Sequence, residues 1–261
     1  MSQQIKLMWS QAFSMKRCIL YLLIILGLPA LQFSFIYEGY QFFLPIEVFQ
    51  ETISGTIPML FPILAVLIFL PIFIAEYKDN YLTYVRTRAS LKDYLLAVGI
   101  VNALLTGLIL FLMTIVTFLL IHYVEPIFAF VDYWSLSEKT YETSNAFSFL
   151  ADIHPLLYAV LYSAWIGLNG ALYATLAYLL ILALEQVYLA MSLPFVAYHI
   201  FNFVAGILQA PQFSPISTVF PFNITEQPLW TVFVPFTILI IVNVILYLTM
   251  IRPKPEWIFQ S

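Results

Sequence analysis

Apolar residues in this sequence continue for about 20 positions at a time, and short polar stretches separate these runs. A helix needs about 20 apolar residues to cross a bilayer, whereas the strands of a membrane barrel alternate apolar and polar residues over about ten positions. The pattern therefore predicts an all-α membrane protein. Six runs predict transmembrane helices: Ile19–Tyr37, Ile57–Ala75, Tyr94–Ile121, Leu156–Leu184, Val187–Ile207 and Thr231–Ile251.

Two of these runs carry local signals of how the chain bends. The second contains Pro58, Pro62 and Pro71, and proline inside a helix predicts kinks. Only a short polar stretch at Glu185 and Gln186 separates the fourth run from the fifth. A single helix through both runs would be far too long for one crossing, so we expect a tight turn between two antiparallel spans.

The residues before the first span show a helical pattern of their own. Ile5, Met8, Trp9 and Ala12 follow the i, i+3, i+4, i+7 spacing of one apolar helix face. Together with the polar residues between them, they predict an interfacial helix over residues 1–17, lying along the membrane surface. The alternative is a disordered tail that contains these apolar residues by chance.

The composition supports a lipid environment. Hydrophobic residues make up 62% of the chain, charged residues make up 9%, and the mean hydropathy is +0.94. Soluble domains carry about 25% charged residues, and a core of this size could not bury so much apolar surface. The composition therefore excludes an ordinary water-soluble domain.

The distribution of charge predicts an orientation. With the N-terminus inside, all but one of the ten basic residues lie in cytoplasmic segments: Lys6, Lys16, Arg17, Lys78, Arg86, Arg88, Lys92, Arg252 and Lys254. Only Lys139 lies outside. Because cytoplasmic loops carry an excess of lysine and arginine, we expect both termini in the cytoplasm and residues 123–155 and 208–230 to be extracellular segments. The whole chain, 1–261, forms a single transmembrane domain.

The connection between the second and third spans, residues 77–93, is the most charged stretch of the chain, and we call it the connector. Asn80 suits the cap of a short helix, and Tyr81, Leu82 and Val85 would share one face of it. Ser90 suits the cap of the helix that follows. An apolar face beside charges is typical of a protein-docking surface. The alternative is that the basic residues only fix the topology and contact lipid phosphates.

Several motifs, taken in their order along the chain, resemble the permease subunits of ABC-2 type ABC transporters. Lys16-Arg17 precedes the first span, Glu76 closes the second, and Arg86-x-Arg88-x-Ser90-x-x-x-Tyr94 leads into the third. A proline-bearing segment, Ser214-Pro215-Ile216 through Pro221, lies before the last span. The long segment between the third and fourth spans departs from the commonest pattern of that family, in which this connection is short, and leaves the subfamily and substrate open.

The resemblance implies that the connector is a coupling helix that docks in a groove of a cytoplasmic ABC ATPase. The implied docking residues are Glu76, Asp79, Asn80, Tyr81, Leu82, Val85, Arg86 and Arg88. The sequence contains no G-x-x-x-x-G-K-[ST] motif, so we expect no cofactor in this chain and ATP and Mg²⁺ in the partner subunit. The resemblance further implies a second permease chain, identical or different, contact with lipid but not with nucleic acid, and a location in a bacterial plasma membrane.

In this interpretation the chain is not itself an enzyme but the permease of an exporter. The substrate class that the resemblance and the aromatic content suggest is amphipathic or hydrophobic: a peptide, a drug or a lipid-like molecule.

Polar residues inside the predicted spans are candidates for a translocation pathway, because such residues are rare in a bilayer. They are Asn102, Asn169, His199, Asn202 and Asn243. The alternative is that they form hydrogen bonds between helices. An ion-coupled secondary transporter is the alternative function, with His199 as the one ionisable candidate near the centre of a span. The three histidines lie far apart in the sequence, so no metal site is expected.

Overall fold

The computed structural model describes residues 2–37, 39–78, 85, 90–134, 146–184, 186–222 and 227–251. Over these residues all regular secondary structure is helical, apart from one isolated bridge between Phe42 and Tyr133. Five helices are long and apolar enough to cross a membrane, and a bent helix pair makes a sixth if it is one span. The prediction of an all-α membrane protein is confirmed, with five, up to six, candidate transmembrane helices.

We number the helices of the described residues in chain order. They are α1 (Ser2–Ala12), α2 (Met15–Ile36), α3 (Pro45–Ser54), α4 (Thr56–Leu67), α5 (Leu70–Lys78), α6 (Leu91–Phe128), α7 (Ser148–Ile153), α8 (Pro155–Ala183), α9 (Val187–Ile207), α10 (Pro215–Val219) and α11 (Leu229–Ile251).

The centre of the bundle is the pair α6 and α8, which share the most extensive helix–helix contact. Gly107 and Gly167 lie where the two backbones approach most closely. A Cβ atom on Gly167 would lie 2.7 Å from the carbonyl oxygen of Gly107. Glycine at this crossing therefore allows a backbone contact that any side chain would prevent. Helices α4, α9 and α11 pack around α8, whereas α1 and α2 pack against α6.

Aromatic side chains fill much of the interior. The largest fully buried ones are Tyr158, Tyr162, Tyr198, Phe49, Phe61, Phe69, Phe73, Phe118 and Phe220. Phe49 of α3 meets Phe118 edge-to-face at a centroid distance of 5.2 Å and Tyr162 at 6.2 Å. Such edge-to-face pairs stabilise packing beyond the area that they bury. Helix α3 is therefore fixed to both central helices by aromatic contacts.

The second predicted span, Ile57–Ala75, is divided between α4 and α5. Helix α3 precedes it. Helix α3 is bent by 58° from α4 at Gly55, and Ile68 and Phe69 separate α4 from α5. The backbone of Gly55 is not helical, with φ −77° and ψ −106°. Pro71 is the second residue of α5, where the missing N–H of proline leaves no intrahelical bond unmade. Of the three prolines, only Pro71 lies beside a break, because Pro58 and Pro62 lie within α4 and the bend at Gly55 precedes all three.

The N-terminal segment contains the predicted helix but not over its full predicted length. Helix α1 ends at Ala12, and α2 begins at Met15, so that Arg17 belongs to the first span. Met8 and Ala12, on the predicted apolar face, are buried against the bundle. The Arg17 guanidinium donates to the carbonyl of Gln11, and the Tyr21 hydroxyl donates to that of Ala12 at 3.0 Å. The apolar face of α1 therefore packs on protein, where the sequence suggested contact with the membrane surface.

The other predicted boundaries agree with the structure within a few residues, with one extension. Helix α8 ends at Ala183 and α9 begins at Val187, which confirms the tight turn between the fourth and fifth spans. Helix α6 continues past Ile121 to Phe128 and so enters the predicted extracellular segment 123–155. Within segment 208–230, the described residues form a 3-10 turn, Pro211–Phe213, and the short helix α10 before α11 begins.

Candidate functional site

The described residues that flank the connector join the end of α5 to the start of α6. The Tyr94 hydroxyl in the first turns of α6 donates to the carboxylate of Glu76 near the end of α5. The side chain of Ser90 accepts a hydrogen bond from the Asp93 N–H at 3.5 Å, which confirms the predicted cap of α6. A hydrogen bond between Tyr94 and Glu76 therefore joins the two helices at the base of the connector.

Most of the predicted docking residues lie outside the described residues. These are Asp79, Asn80, Tyr81, Leu82, Arg86 and Arg88. Of the others, Glu76 is placed as above, and Val85 is buried with 8% of its surface exposed. The docking role of all eight residues stays a prediction.

Two further helix ends are tied to the same region, which we call the connector end of the bundle. The ammonium of Lys78, the last residue of α5, lies 2.8 Å from the hydroxyl oxygen of Tyr188 in the first turn of α9. The Tyr178 hydroxyl of α8 donates to the carbonyl of Leu95 in α6 at 2.8 Å. Side chains thus link α5 to α9 and α8 to α6 at this end of the bundle.

The described charges are divided between the two ends of the bundle. The basic residues lie in α1, at the start of α2, at the end of α5 and at the start of α6: Lys6, Lys16, Arg17, Lys78 and Lys92. The described acids at the opposite end are Glu47, Glu51, Glu125, Asp132 and Asp152. The connector end is therefore electropositive relative to the other end within the described part of the chain.

Three of the predicted pathway residues bond to helix carbonyls inside the bundle. The amide of Asn102 in α6 donates to the carbonyl of Ala174 in α8 at 2.9 Å. Asn243 of α11 donates to Leu172 of α8 at 3.4 Å and to its own helix at 2.9 Å. Asn169 bonds only within α8, to the carbonyl of Trp165. Asn102 and Asn243 thus form hydrogen bonds between helices, as the alternative to a pathway role predicts.

The remaining two pathway candidates contact other helices from α9. The Nε2 atom of His199 lies 3.1 Å from the carbonyl oxygen of Met59 in α4. The Oδ1 atom of Asn202 accepts a hydrogen bond from the N–H of Ile216 at 2.9 Å, in the first turn of α10. All five candidates therefore bond to backbone groups. Their role in a pathway stays a prediction.

Sequence reasoning did not identify the side chains that hold α10. The indole of Trp165 donates to the carbonyl of Thr218 at 2.8 Å, and the hydroxyl of Tyr162 donates to that of Val219 at 3.1 Å. The amide of Gln227 donates to the carbonyl of Ser217 at 2.5 Å. The density of proline around α10 signalled broken structure, but no local pattern indicates that donors from α8 would satisfy its last carbonyls.

No protein-family model, no curated protein and no solved structure matches this chain. The fold and the length and hydropathy of its helices define the chain as a multi-pass membrane protein with five, up to six, transmembrane helices.

Proposed function

We propose that this chain is the membrane-spanning subunit of an ABC-type exporter of an amphipathic or hydrophobic substrate, driven by a separate cytoplasmic ATPase. The observation that supports the proposal best is the bond between Glu76 and Tyr94 at the base of the connector. A loop that only fixes topology needs basic residues but no rigid attachment to the bundle. A loop that transmits force needs that attachment, because displacement at its tip must move a helix inside the membrane.

The packing of α6 supports the second step of this proposal. The bond between Glu76 and Tyr94 joins the end of α5 to the first turns of α6, and α6 packs against α8 along the centre of the bundle. Movement of the connector would therefore reach both central helices. ATP binding to the partner subunit would supply that movement by favouring one of two arrangements of the bundle.

The charge distribution supports a cytoplasmic connector end. All five lysines and arginines within the described residues lie near that end, as the positive-inside rule requires of a cytoplasmic face. In the proposed assembly two permease chains, identical or different, would pair in the plasma membrane, and each would dock one ATPase. ATP and Mg²⁺ would bind to the ATPase alone.

Co-purification of the full chain from its native membranes in a mild detergent tests the proposal. We expect an ATP-hydrolysing protein with nucleotide-binding motifs to accompany the wild-type chain. The double substitution Arg86→Ala with Arg88→Ala should lower its recovery several-fold, whereas Asp152→Asn at the opposite end should not. Equal elution profiles of the two variants on size-exclusion chromatography would show that both fold. Transport by a preparation that contains no such ATPase would reject the proposal.

A further inference from the structure

An apolar cavity of about 230 Å³ lies between α2, α3 and α6, at the end of the bundle opposite the connector. We call it the flank pocket. Its walls include Ile25, Leu26 and Ala30 of α2 and Leu120, Val124 and Glu125 of α6. An apolar cavity of about 150 Å³ is enough to hold benzene. The flank pocket is therefore large enough to hold part of an alkyl chain.

Both long walls of the flank pocket are irregular at the same level. The hydrogen bonding of α2 widens to a π-helix over Leu23–Gly27, and that of α6 does so over Leu120–Val124. Each of these segments contributes two or more residues to the pocket. Such π-helical turns are rare and are found frequently at functional sites. Two of them on facing helices indicate a pocket shaped by the fold and not a chance packing gap.

The pocket wall contains one buried carboxylate. Glu125 is 4% exposed, and its two oxygens each accept one hydrogen bond, from the Val131 N–H at 2.9 Å and from the Tyr133 hydroxyl at 2.7 Å. A carboxylate offers acceptor sites on both oxygens, whereas a protonated carboxyl would use one oxygen as a donor. Burial, and then the bond to Glu125, raise the pKa of Tyr133, so the phenol remains a donor. Both carboxylate oxygens of Glu125 therefore act as acceptors.

The carboxylate of Glu125 has no lysine or arginine partner within the described chain. All the described lysines and arginines lie near the connector end, across the length of the bundle from α6's last turn. A buried charge is costly unless a charge of opposite sign accompanies it. A cation that entered the flank pocket would supply the charge of opposite sign that the carboxylate of Glu125 lacks.

The pocket opens toward the lipid-facing side of the bundle. Leu26 of α2 and Leu120 of α6, which line it, are each 43% exposed, and Phe130 at its end is 58% exposed. An apolar surface exposed beside a membrane-spanning segment contacts acyl chains. A ligand could therefore enter from the bilayer with its apolar part leading.

We propose that the flank pocket binds an amphiphile that has an alkyl chain and an ammonium head. The chain lies between the two π-helical segments, and the ammonium pairs with the carboxylate of Glu125. Charge complementarity selects this occupant over a neutral or anionic amphiphile, because Glu125 is the one ionisable residue among those that line the pocket. The proposal does not depend on the transport function proposed above.

Photolabelling of the full-length protein in phosphatidylcholine nanodiscs tests the charge preference. The probes are dodecylamine and dodecanol, each carrying a diazirine, and the apparent Kd is measured by competition with the unlabelled compound. The wild type should bind dodecylamine more tightly, with label in the peptides of α2 and α6. Because Glu125→Gln removes the charge that pairs with the ammonium, it should weaken dodecylamine binding by about tenfold or more. Its affinity for dodecanol should change little.

Two variants separate the pocket from general effects. Asp152→Asn removes an exposed carboxylate from the same end of the bundle and should leave both affinities unchanged. Ala30→Phe fills the cavity from an exposed position on α2, keeps Glu125, and should weaken the binding of both probes. If Glu125→Gln does not fold, Ala30→Phe still tests whether the probes occupy the flank pocket. Equal wild-type affinities for amine and alcohol, or label confined to other helices, would overturn the proposal.

Nanodiscs that contain phosphatidylethanolamine distinguish the two sources of such a ligand. If this lipid competes with the dodecylamine probe in the wild type but not in Glu125→Gln, the natural occupant is a bilayer lipid. If it does not compete while dodecylamine still binds through Glu125, the occupant is an added cationic amphiphile. Both results support the pocket as a cation-selective site.

Discussion

Within the membrane, polar side chains of this protein bind mainly to backbone carbonyls. Tyr162 and Trp165 lie about one turn apart on α8. They donate to two successive carbonyls at the end of α10. Asn102 and Asn243 donate to carbonyls of α8 from its neighbours. Because the hydrocarbon region supplies no water, the last carbonyls of a short helix need such donors. The short helix α10 has few internal hydrogen bonds, and the donors on α8 therefore contribute much of its stability.

Removal of a single hydroxyl measures this stabilisation. Tyr162→Phe keeps the buried ring but removes the donor to Val219, and should lower the free energy of unfolding by about 1 kcal/mol. Tyr173→Phe in the same helix is the matched control, since none of the described residues forms a hydrogen bond with its hydroxyl, and should change stability little. Unfolding by SDS in mixed micelles measures both. Equal effects of the two substitutions would contradict the assigned bond.

At the scale of residues, the sequence identifies polar positions only where they interrupt an apolar run. Asn102 and His199 stand out for this reason, and the structure shows what each contacts. Glu125 stands just beyond the predicted third span and looked like one of several extracellular acids. It is buried because α6 continues to Phe128 and the bridge between Phe42 and Tyr133 closes over it. That burial depends on contacts between distant segments, which no local pattern records.

At the scale of elements, apolar run length predicts helices well and their interruptions poorly. The fifth span is found at its predicted residues, Val187–Ile207, and the fourth differs by one residue at each end. The break at Gly55 was not predicted, because Gly55 lies between Ser54 and Thr56, before the second predicted span, where no helix was expected. The π-helical segment Leu23–Gly27 is composed of residues that suit an α-helix equally well. At Gly55, the side chain of Gln32 from α2 lies where a Cβ atom would be, which is a contact between distant segments that no local pattern indicates.

The crossing of α6 and α8 offers a test at this scale. A methyl group on Gly167 would lie 2.7 Å from the carbonyl oxygen of Gly107, so Gly167→Ala should force the helices apart. Overpacking of this kind typically costs about 1–3 kcal/mol, and the thermal midpoint in detergent should fall accordingly. Gly206→Ala is the control: nothing lies within 4 Å of its added methyl group, so helix propensity alone should leave stability equal or slightly higher. A Gly167→Ala variant as stable as wild type would show that the crossing is looser than described.

For the whole molecule, the division of charge between the two ends predicts its orientation in the membrane. In a Cys18→Ser background, Lys92→Cys at the start of α6 should react with a membrane-impermeant maleimide only in inverted vesicles. Asp152→Cys in α7 should react in intact cells. The two cysteines serve as controls for each other, because both lie on exposed or partly exposed helix ends. Reaction of the Lys92→Cys protein in intact cells would invert the topology and remove the basis for a cytoplasmic partner.

The proposed function can be tested most directly at the hydrogen bond between Glu76 and Tyr94. If the connector transmits force from an ATPase to α6, then Tyr94→Phe should leave docking intact, because the substitution lies in the bundle and not on the docking surface. It should weaken the attachment of α5 to α6 by removing the hydroxyl that donates to Glu76. Substrate exported per ATP hydrolysed should therefore fall several-fold in reconstituted vesicles, while ATP turnover continues.

Glu76→Gln distinguishes loss of the bond from loss of charge. Its amide oxygen can still accept the Tyr94 hydroxyl, so coupling should fall less than in Tyr94→Phe. Tyr77→Phe removes a phenol from the same end of α5 and should leave the ratio of transport to hydrolysis unchanged. The ratio, and not the transport rate alone, is the informative measurement, because a variant that folds poorly loses transport and hydrolysis together. A Tyr94→Phe protein that lost ATPase binding, or kept full coupling, would show that force does not pass through this bond.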